Sequence, residues 1–265
     1  MKFLFIGDIV GRIGRQTIAK LVPRLKKELN PDLVIANAEN SAHGSGVTET
    51  IVKELLASGI DYMTTGDHAF RVNKQLAIFN NYPILRPANF PPGLPGAGWT
   101  TIPVGKKKIV LINLIGRVLM KADYDCPFRK LDEILANLNL PDKNISAILV
   151  DMHAETTSEK ICFGLYADGR VSAILGTHTH IMTADQKITK LGTGYITDVG
   201  MAGYADGSLG VDAEDIIKTF LTQIKYPHII PKRGNAILSA VLLTINTKTI
   251  KTTAIKPIIK YIKIK

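Results

Sequence analysis

Five short apolar runs in this sequence each stop at acidic, amide or imidazole side chains. Each run has the length of a β-strand, and amphipathic stretches with apolar residues three or four positions apart separate the runs. This alternation predicts an α/β fold. Because the carboxyl ends of the strands in an open α/β sheet line one crevice, the polar residues that follow the runs are expected to converge there. They are Asp8, Glu39, Asn40, Asp67, His68, His153, His178 and His180.

The same periodicities predict the positions of the strands and helices. Pro and Gly crowd positions 82–98, which are predicted to form a loop, and Pro23 is expected to kink the first helix or to move its start. Strands are predicted over 3–6, 33–36, 62–65, 109–114, 147–150, 172–175 and 236–245, followed by an antiparallel strand in the Lys/Ile tail at 248–265. Helices are predicted over about 16–29, 49–58, 128–138 and 212–224.

Chain length and composition predict one globular domain. The 265 residues are enough for a substantial core, and no repeat or low-complexity linker divides them. The two cysteines, Cys126 and Cys162, have no CxxC spacing, which favours a reducing cytoplasm and argues against a thiolate metal site. No apolar run approaches the roughly 18 residues of a membrane span, so we expect no membrane association.

The formal net charge of +10 arises from 33 Lys and Arg residues against 23 Asp and Glu residues. A basic surface attracts polyanions, so RNA and nucleotides are candidate partners. The alternative is that the excess lysine solvates an edge strand, because much of it alternates with isoleucine in the tail at 248–265. The charge therefore names no substrate, and it leaves open whether the chain forms a homo-oligomer.

The converging carboxylates and imidazoles predict a metal centre. Without cations between them, these groups would repel one another or remain unsatisfied. On an extended chain, His178 and His180 would point the same way about 6.6 Å apart, while catalytic metal ions lie about 3.5–4 Å apart, so the imidazoles could bind one ion each. Oxygen and nitrogen ligands without sulfur suit Mn, Fe, Zn or Ni.

Several motifs, taken together, resemble those of the calcineurin-type metallophosphoesterases. They are Gly-Asp at 7–8, Gly-Asp-His at 66–68, the isolated His153 and Gly-Thr-His-Thr-His at 176–180. Other segments are similar to the YmdB-like branch, namely Gly-Asp-Ile-Val-Gly (7–11), Ala-Glu-Asn-Ser-Ala-His-Gly (38–44), Arg-Pro-Ala-Asn-Phe-Pro (86–91), Asp-Met-His-Ala-Glu (151–155) and Ile-Thr-Asp-Val-Gly-Met (196–201). The resemblance spans essentially the whole chain. It implies a four-layer α-β-β-α sandwich and a cytoplasmic 2′,3′-cyclic-nucleotide phosphodiesterase with a di-iron or di-manganese centre.

The resemblance also implies a mechanism. A hydroxide held between the two metal ions would attack the phosphorus of a small phosphate ester, and His68 would protonate the leaving oxygen as the general acid. His43 and Arg117 are weaker candidates for contacts with the substrate. The implied ligands are Asp8 and His180 for the first ion, Glu39 between both ions, and Asn40, Asp67, His153 and His178 for the second ion.

Asp67 departs from the motif of the branch, which has Gly-Asn-His where this sequence has Gly-Asp-His. Asp8, Glu39 and Asp67 would bring three negative charges to two divalent ions, one more than the asparagine version. The additional charge is expected to weaken the attraction of the centre for phosphate, or to favour a mixed-valence iron pair. Two alternatives therefore stay open, a broad-specificity phosphatase and a weakly active regulatory or RNA-binding scaffold. The sequence contains neither a P-loop nor a Gly-x-Ser-x-Gly nucleophile motif.

Overall fold

Two β-sheets lie face to face between outer layers of helices in the computed structural model, which describes residues 1–138 and 144–265. The strands are β1 (Lys2–Ile6), β2 (Asp8–Ile9), β3 (Leu33–Asn37), β4 (Tyr62–Thr64), β5 (Trp99–Val104), β6 (Lys107–Ile115), β7 (Ile145–His153), β8 (Ala173–Thr177), β9 (Lys187–Ile188), β10 (Gly194–Ile196), β11 (Met201–Tyr204), β12 (Gly234–Ile245) and β13 (Thr252–Ile264). The α-helices are α1 (Gly11–Leu29), α2 (Glu49–Ala57), α3 (Ile78–Asn81), α4 (Pro127–Asn137), α5 (Thr157–Tyr166) and α6 (Ala213–Thr222), with a 3-10 turn at Asn73–Gln75.

Each sheet has a parallel centre. The first has the strand order β2-β11-β12-β1-β3-β4, with β13 paired along β12, and β1, β3 and β4 run parallel. The second has the order β5-β6-β7-β8-β10-β9, in which β6, β7, β8 and β10 run parallel. Parallel strands end at the same edge of their sheet, which places the segments after β1, β3, β4, β7 and β8 where a site can form.

The alternation of side chains along β1 shows how the layers are built. Phe3 and Phe5 pack between the two sheets, whereas Leu4 and Ile6 pack under the helices on the other face of the first sheet. The helices α4 and α5 cover the outer face of the second sheet, where Leu131 and Phe163 belong to a third apolar cluster. This is the four-layer α-β-β-α arrangement, which confirms the predicted fold class.

Most predicted elements are present, but some bounds differ. The first helix begins at Gly11 rather than near 16, so the prediction that Pro23 moves its start is wrong. The sequence signal also missed the helices α3 and α5 and the strands β2, β5, β9, β10 and β11. Strand β5 is an edge strand in which Ile102 alone is buried and Pro103 is tolerated, so it carries little hydrophobic pattern. The predicted cap of the last helix is confirmed, because the Asp212 carboxylate accepts the Glu214 N–H at 3.0 Å.

The Lys/Ile tail forms the predicted antiparallel strand. Strand β13 pairs with β12 along most of its length, and Lys256, Lys260 and Lys263 are exposed on it. The local lysine excess therefore has the structural explanation of a solvated terminal strand. Across the two described ranges, 1–138 and 144–265, no helix is both long enough and apolar enough to cross a bilayer.

Candidate metal centre

The polar residues that stop the apolar runs meet at one edge of the sandwich, and both sheets contribute. Asp8 lies in β2 just after β1, and Glu39 follows β3 by two positions. Asp67 follows β4 in the same sheet. From the second sheet, His153 ends β7 and His178 comes directly after β8. The centre therefore forms only when the two sheets pack together.

Four of these residues form a tight group. Ligand atoms of Glu39, Asp67, His153 and His178 all lie within 4.8 Å of one another. The His153 Nε2 atom is 3.1 Å from Glu39 Oε1 and 3.5 Å from Asp67 Oδ1. The His178 Nδ1 atom is 2.9 Å from His153 Nε2 and 3.6 Å from Asp67 Oδ1. These spacings suit side chains arranged around a single small cation.

A second group lies beside the first. Asp8 Oδ1 is 3.9 Å from His180 Nε2 and 4.0 Å from His153 Nδ1, so its carboxylate lies next to both groups. The Asn40 amide is 2.9 Å from His180 Nε2. Asn40 thus contacts His180, which the resemblance assigns to the first ion. The resemblance assigns Asn40 itself to the second ion.

The two histidines of the 176–180 motif do not lie on extended chain, so that prediction is wrong. Strand β8 ends at Thr177, and His178 and His180 have φ angles of 98° and 64°. Non-glycine residues with positive φ are uncommon and mark local strain. These backbone angles direct the two imidazoles to different groups of side chains. His178 lies with Glu39, Asp67 and His153, whereas His180 lies beside Asp8, and that each imidazole binds a different ion stays a prediction.

Each imidazole of the centre directs a nitrogen lone pair inward. His178 has its Nε2 atom 3.0 Å from Glu155 Oε2, and His180 has its Nδ1 atom 3.0 Å from the Leu209 carbonyl. Carboxylate and carbonyl oxygens only accept, so these outer nitrogens carry the proton and the inner nitrogens are unprotonated in the neutral rings. Outer contacts of this kind orient imidazole ligands around metals.

The tautomer of His153 is fixed through a buried carboxylate. Asp151 accepts hydrogen bonds from Thr64, Asn37 and Thr177, and the last of these, from Thr177 Oγ1, is 2.6 Å long. Since Thr177 donates its proton to Asp151, its oxygen accepts from His153 Nδ1 at 2.9 Å. Burial lowers the pKa of His153, but Glu39 and Asp67 outweigh it and hold the pKa well above its ordinary value, so without a cation a proton occupies Nε2. A metal ion would take the place of that proton between Nε2 and the Glu39 carboxylate.

Three buried carboxylate oxygens provide an independent test of whether metal ions fit. Within the part of the chain that the structure describes, no group donates a hydrogen bond to Asp8 Oδ1, Glu39 Oε1 or Asp67 Oδ1. Leaving a buried charge unsatisfied costs several kcal/mol, so such oxygens normally have a partner. Each oxygen lies against an inward imidazole nitrogen. The residues present therefore fit bound cations.

The electrostatics of the centre are consistent with this fit. Burial raises the pKa of Asp8 to about 7, although His180 and His153 oppose the shift. Burial and the neighbouring His153 together lower the pKa of His178 to about 3. For Glu39, burial alone would raise the pKa, but His153 outweighs it and holds the pKa below its ordinary value. The centre thus combines imidazole and carboxylate groups, the donor set of Mn, Fe and Zn sites.

Only glycine fits at position 66, immediately before Asp67. A Cβ atom there would lie 2.1 Å from His153 Cδ2 and 2.4 Å from Glu39 Oε2, both inside the centre. Neither neighbour can move without displacing a candidate ligand. Close packing against the centre therefore explains the glycine in the Gly-Asp-His motif.

His68 lies at the outer side of the centre. Its backbone N–H donates to Glu39 Oε2 at 3.2 Å, and its Nδ1 atom is 2.9 Å from Asn40 Oδ1. Its Nε2 atom is 3.3 Å from Lys121 Nζ and 3.5 Å from Asp67 Oδ2. The side chain is 23% exposed, so it contacts the buried ligands on one side and solvent on the other.

Comparison with known proteins is consistent with this centre. A family model described as YmdB-like protein matches residues 4–258. The chain belongs to the YmdB-like family. It is 44% identical over 260 residues to the 2′,3′-cyclic-nucleotide 2′-phosphodiesterase of Bacillus subtilis, covering 98% of this chain and 97% of that protein. The family that the sequence motifs resembled is confirmed.

Solved structures give the same result for the fold. The crystal structure of a phosphatase from Mycoplasma pneumoniae has a TM-score of 0.92 at 34% identity, covering 100% of this chain and 94% of that chain. An NAD nucleotidase from Haemophilus influenzae has a TM-score of 0.60 at 14% identity, covering 98% of this chain and 50% of that chain, and shares only the fold. The YmdB-like chain therefore has the fold of the metallophosphoesterases.

A cavity of about 640 Å³ opens over the centre of this YmdB-like protein. His68, His178 and His180 form part of its wall, and the substrate candidate His43 also lines it. The other substrate candidate does not reach the cavity. Arg117 is exposed and is absent from the described residues that line the cavity, and its backbone N–H donates to the Glu159 carboxylate at 3.0 Å.

Three residues around the cavity were missed by sequence reasoning. Lys121 approaches His68, Glu155 contacts His178, and His228 lines the cavity. Glu155 could have been found, because it closes the 151–155 segment that carries the family resemblance. Lys121 and His228 lie in irregular segments with no periodicity, so the sequence offered no signal for them.

Proposed function

We propose that this chain is a metal-dependent phosphodiesterase that hydrolyses small phosphate esters, with 2′,3′-cyclic nucleotides as its substrates. One observation carries the proposal. Beneath an open cavity, three buried carboxylate oxygens that accept no hydrogen bond from the described residues lie against inward-facing imidazole nitrogens. The Bacillus subtilis relative supplies the substrate class, since it covers almost the whole chain. The free thiols of Cys126 and Cys162 suit the cytoplasmic location that we include in the proposal.

Two ions, iron or manganese, would be held by the two groups of side chains. When bound, such ions neutralise the phosphate oxygens and provide a water-derived nucleophile near neutral pH. We assign Asp8, Asn40 and His180 to the first ion and Asp67, His153 and His178 to the second, with Glu39 between them. The change from the sequence assignment is Asn40, which moves to the first ion because of its contact with His180.

The Asn40 amide links this ligand set to the proposed general acid. A ligand role requires Asn40 Oδ1 to point inward, and the amide NH₂ group then points to His68 Nδ1, 2.9 Å from the outer amide atom. Accepting that hydrogen bond places the imidazole proton on Nε2, the nitrogen that faces the cavity. His68 can then donate the proton to the leaving ribose oxygen. Lys121 Nζ lies 3.3 Å from the same nitrogen and can only donate, so in this tautomer the ammonium turns away from His68 and adds positive charge to the cavity.

The test is hydrolysis of 2′,3′-cyclic AMP by protein stripped of metal and then reconstituted with Mn²⁺ or, without oxygen, Fe²⁺. We expect activity to disappear on stripping, to return with either ion, and to yield the 3′-phosphate in ³¹P spectra. Equal turnover of p-nitrophenyl phosphate would favour a broad-specificity phosphatase. Full activity in the stripped protein would contradict the proposal.

Replacing His68 should separate catalysis from metal binding. We expect His68→Ala to lower kcat for 2′,3′-cyclic AMP by roughly 10²–10⁴-fold, the usual contribution of a general acid, with unchanged metal content. An ester with a p-nitrophenolate leaving group needs little protonation, so its hydrolysis should fall much less. His228→Ala, in the same cavity, is the matched control. An equal loss with both esters would rule out the acid role.

Replacing Asp67 tests its excess charge. Asp67→Asn keeps a carbonyl oxygen but removes one negative charge from a position 3.5 Å from His153 Nε2 and 3.6 Å from Lys121 Nζ. We expect metal affinity, measured by chelator competition, to fall roughly 10- to 100-fold while turnover at saturating metal is retained. Unchanged affinity would show that Asp67 is not a ligand. A strong rise in turnover would favour the weakly active scaffold.

A further inference from the structure

Part of the lining of the cavity is apolar. Its large side chains are Leu209, Val211, Ile216, Phe220 and Ile230, which we call the apolar rim. The part of the lining at the metal centre carries imidazoles and a lysine, whereas the rim carries no charge. The lining therefore has two chemically distinct parts within about 640 Å³, a volume in the range of small-molecule sites.

Helix α6 supplies the central part of the rim. Ile216, Thr219 and Phe220 line the cavity at helical spacings of three and four, so one face of α6 is directed to it. Within the described chain, no residue of α6 is fully buried, and Phe220 is 81% exposed. A large aromatic side chain left in solvent at the mouth of a catalytic cavity is available to a ligand.

A nucleoside phosphate ester matches this division. Its phosphate is anionic and belongs at the metal end, and its base is a flat, largely apolar ring. We propose that the apolar rim is the base-binding subsite of this enzyme and that Phe220 stacks on the nucleobase. The inference rests on the proposed function. Since stacking uses the π-face that every base has, the subsite should accept purines and pyrimidines.

The other occupant of this face would be a second copy of the chain. That alternative uses a different side of α6, because the exposed Ile217 and Leu221 are not among the cavity-lining residues. Leu221 is 79% exposed, almost the same as Phe220. Leu221→Ala is therefore a matched control, since it removes a similar exposed apolar side chain from the same helix without touching the cavity.

The experiment compares Phe220→Ala with Leu221→Ala on two esters, 2′,3′-cyclic AMP and glycerol 1,2-cyclic phosphate, which has no base. For Phe220→Ala we expect kcat/KM to fall roughly five- to hundredfold with the nucleotide, the contribution of one stacked base, and to stay unchanged with glycerol cyclic phosphate. Phe220→Trp should retain the preference for the nucleotide. Leu221→Ala should leave both reactions unchanged.

Binding of adenosine 3′-monophosphate, measured by calorimetry, separates the two proposals. If the wild-type protein hydrolyses neither ester but binds this nucleotide in a Phe220-dependent way, the proposed function fails and the subsite stands. The subsite proposal would be overturned if Phe220→Ala changed neither the binding of this nucleotide nor the ratio of kcat/KM between the two esters. Equal losses with both esters, together with a changed sedimentation coefficient, would also overturn it and assign the face to contact between two copies.

Discussion

Glu39→Gln is expected to leave a folded protein that has lost its metal-dependent activity. Glu39 is fully buried, and its Oε1 atom lies 3.1 Å from His153 Nε2. This oxygen is one of the three buried carboxylate oxygens to which no described residue donates a hydrogen bond. Glutamine has almost the same volume and can still accept the His68 N–H, so the backbone there should not change. It removes the charge that we assign to the position between the two ions. The stabilisation that a metal pair gives to the transition state is several kcal/mol, so we expect kcat/KM to fall about a thousandfold or more.

The metal content of Glu39→Gln tests the same bridging role without an activity assay. We expect Glu39→Gln to retain at most one ion per chain after gel filtration, measured by mass spectrometry of the protein-bound metals. Glu133→Gln is the control, because Glu133 lies on the exposed side of α4 and pairs with Lys130. Two retained ions and normal turnover in Glu39→Gln would mean that the carboxylate does not bridge the ions.

Lys160→Met is expected to be the most destabilising single change outside the centre. Lys160 is 1% exposed and its ammonium donates to Asp198 at 2.8 Å and to the Thr177 carbonyl at 2.7 Å. Asp198 also accepts the Thr179 N–H at 3.0 Å, so the pair fixes the backbone that carries the two strained histidines. Removing one partner of a buried ion pair costs about 3–5 kcal/mol of unfolding free energy, to be measured by urea denaturation.

The double variant Lys160→Met with Asp198→Asn distinguishes an ion pair from simple packing. It removes both charges, so the unfolding free energy should recover part of the loss seen with Lys160→Met alone. We also expect Lys160→Met to weaken metal binding, since His178 and His180 flank Thr179. Additive losses in the double variant would show that the two residues act independently.

The sequence allowed prediction of the residues of the centre but not of their grouping. Asp8, Glu39 and His153 were identifiable because each stops an apolar run, and the topology of parallel strands brings such positions together. The grouping of Asn40 with His180 could not be predicted, because it depends on positive φ angles at His178 and His180, and the residue types alone do not specify such angles. Local chain geometry at strand ends was the missing information.

Residues that act through distant contacts were also beyond prediction. Lys160 lies on the unpredicted helix α5, and its partner Asp198 is 38 positions away. Phe220 belongs to a predicted helix, but an amphipathic pattern cannot tell a face that packs on a core from one that borders a cavity. The weak edge strand β5 shows the same limit for the fold, since its environment rather than its composition makes it a strand.

Anomalous diffraction from crystals grown with protein purified without oxygen, and with excess Mn²⁺ or Fe²⁺, tests whether the side chains of the centre hold two metal ions. We expect two anomalous peaks per chain. One should be bound by Asp8, Asn40 and His180, the other by Asp67, His153 and His178, with Glu39 contacting both. A metal-saturated crystal with these side chains turned apart and no peak between them would contradict this expectation.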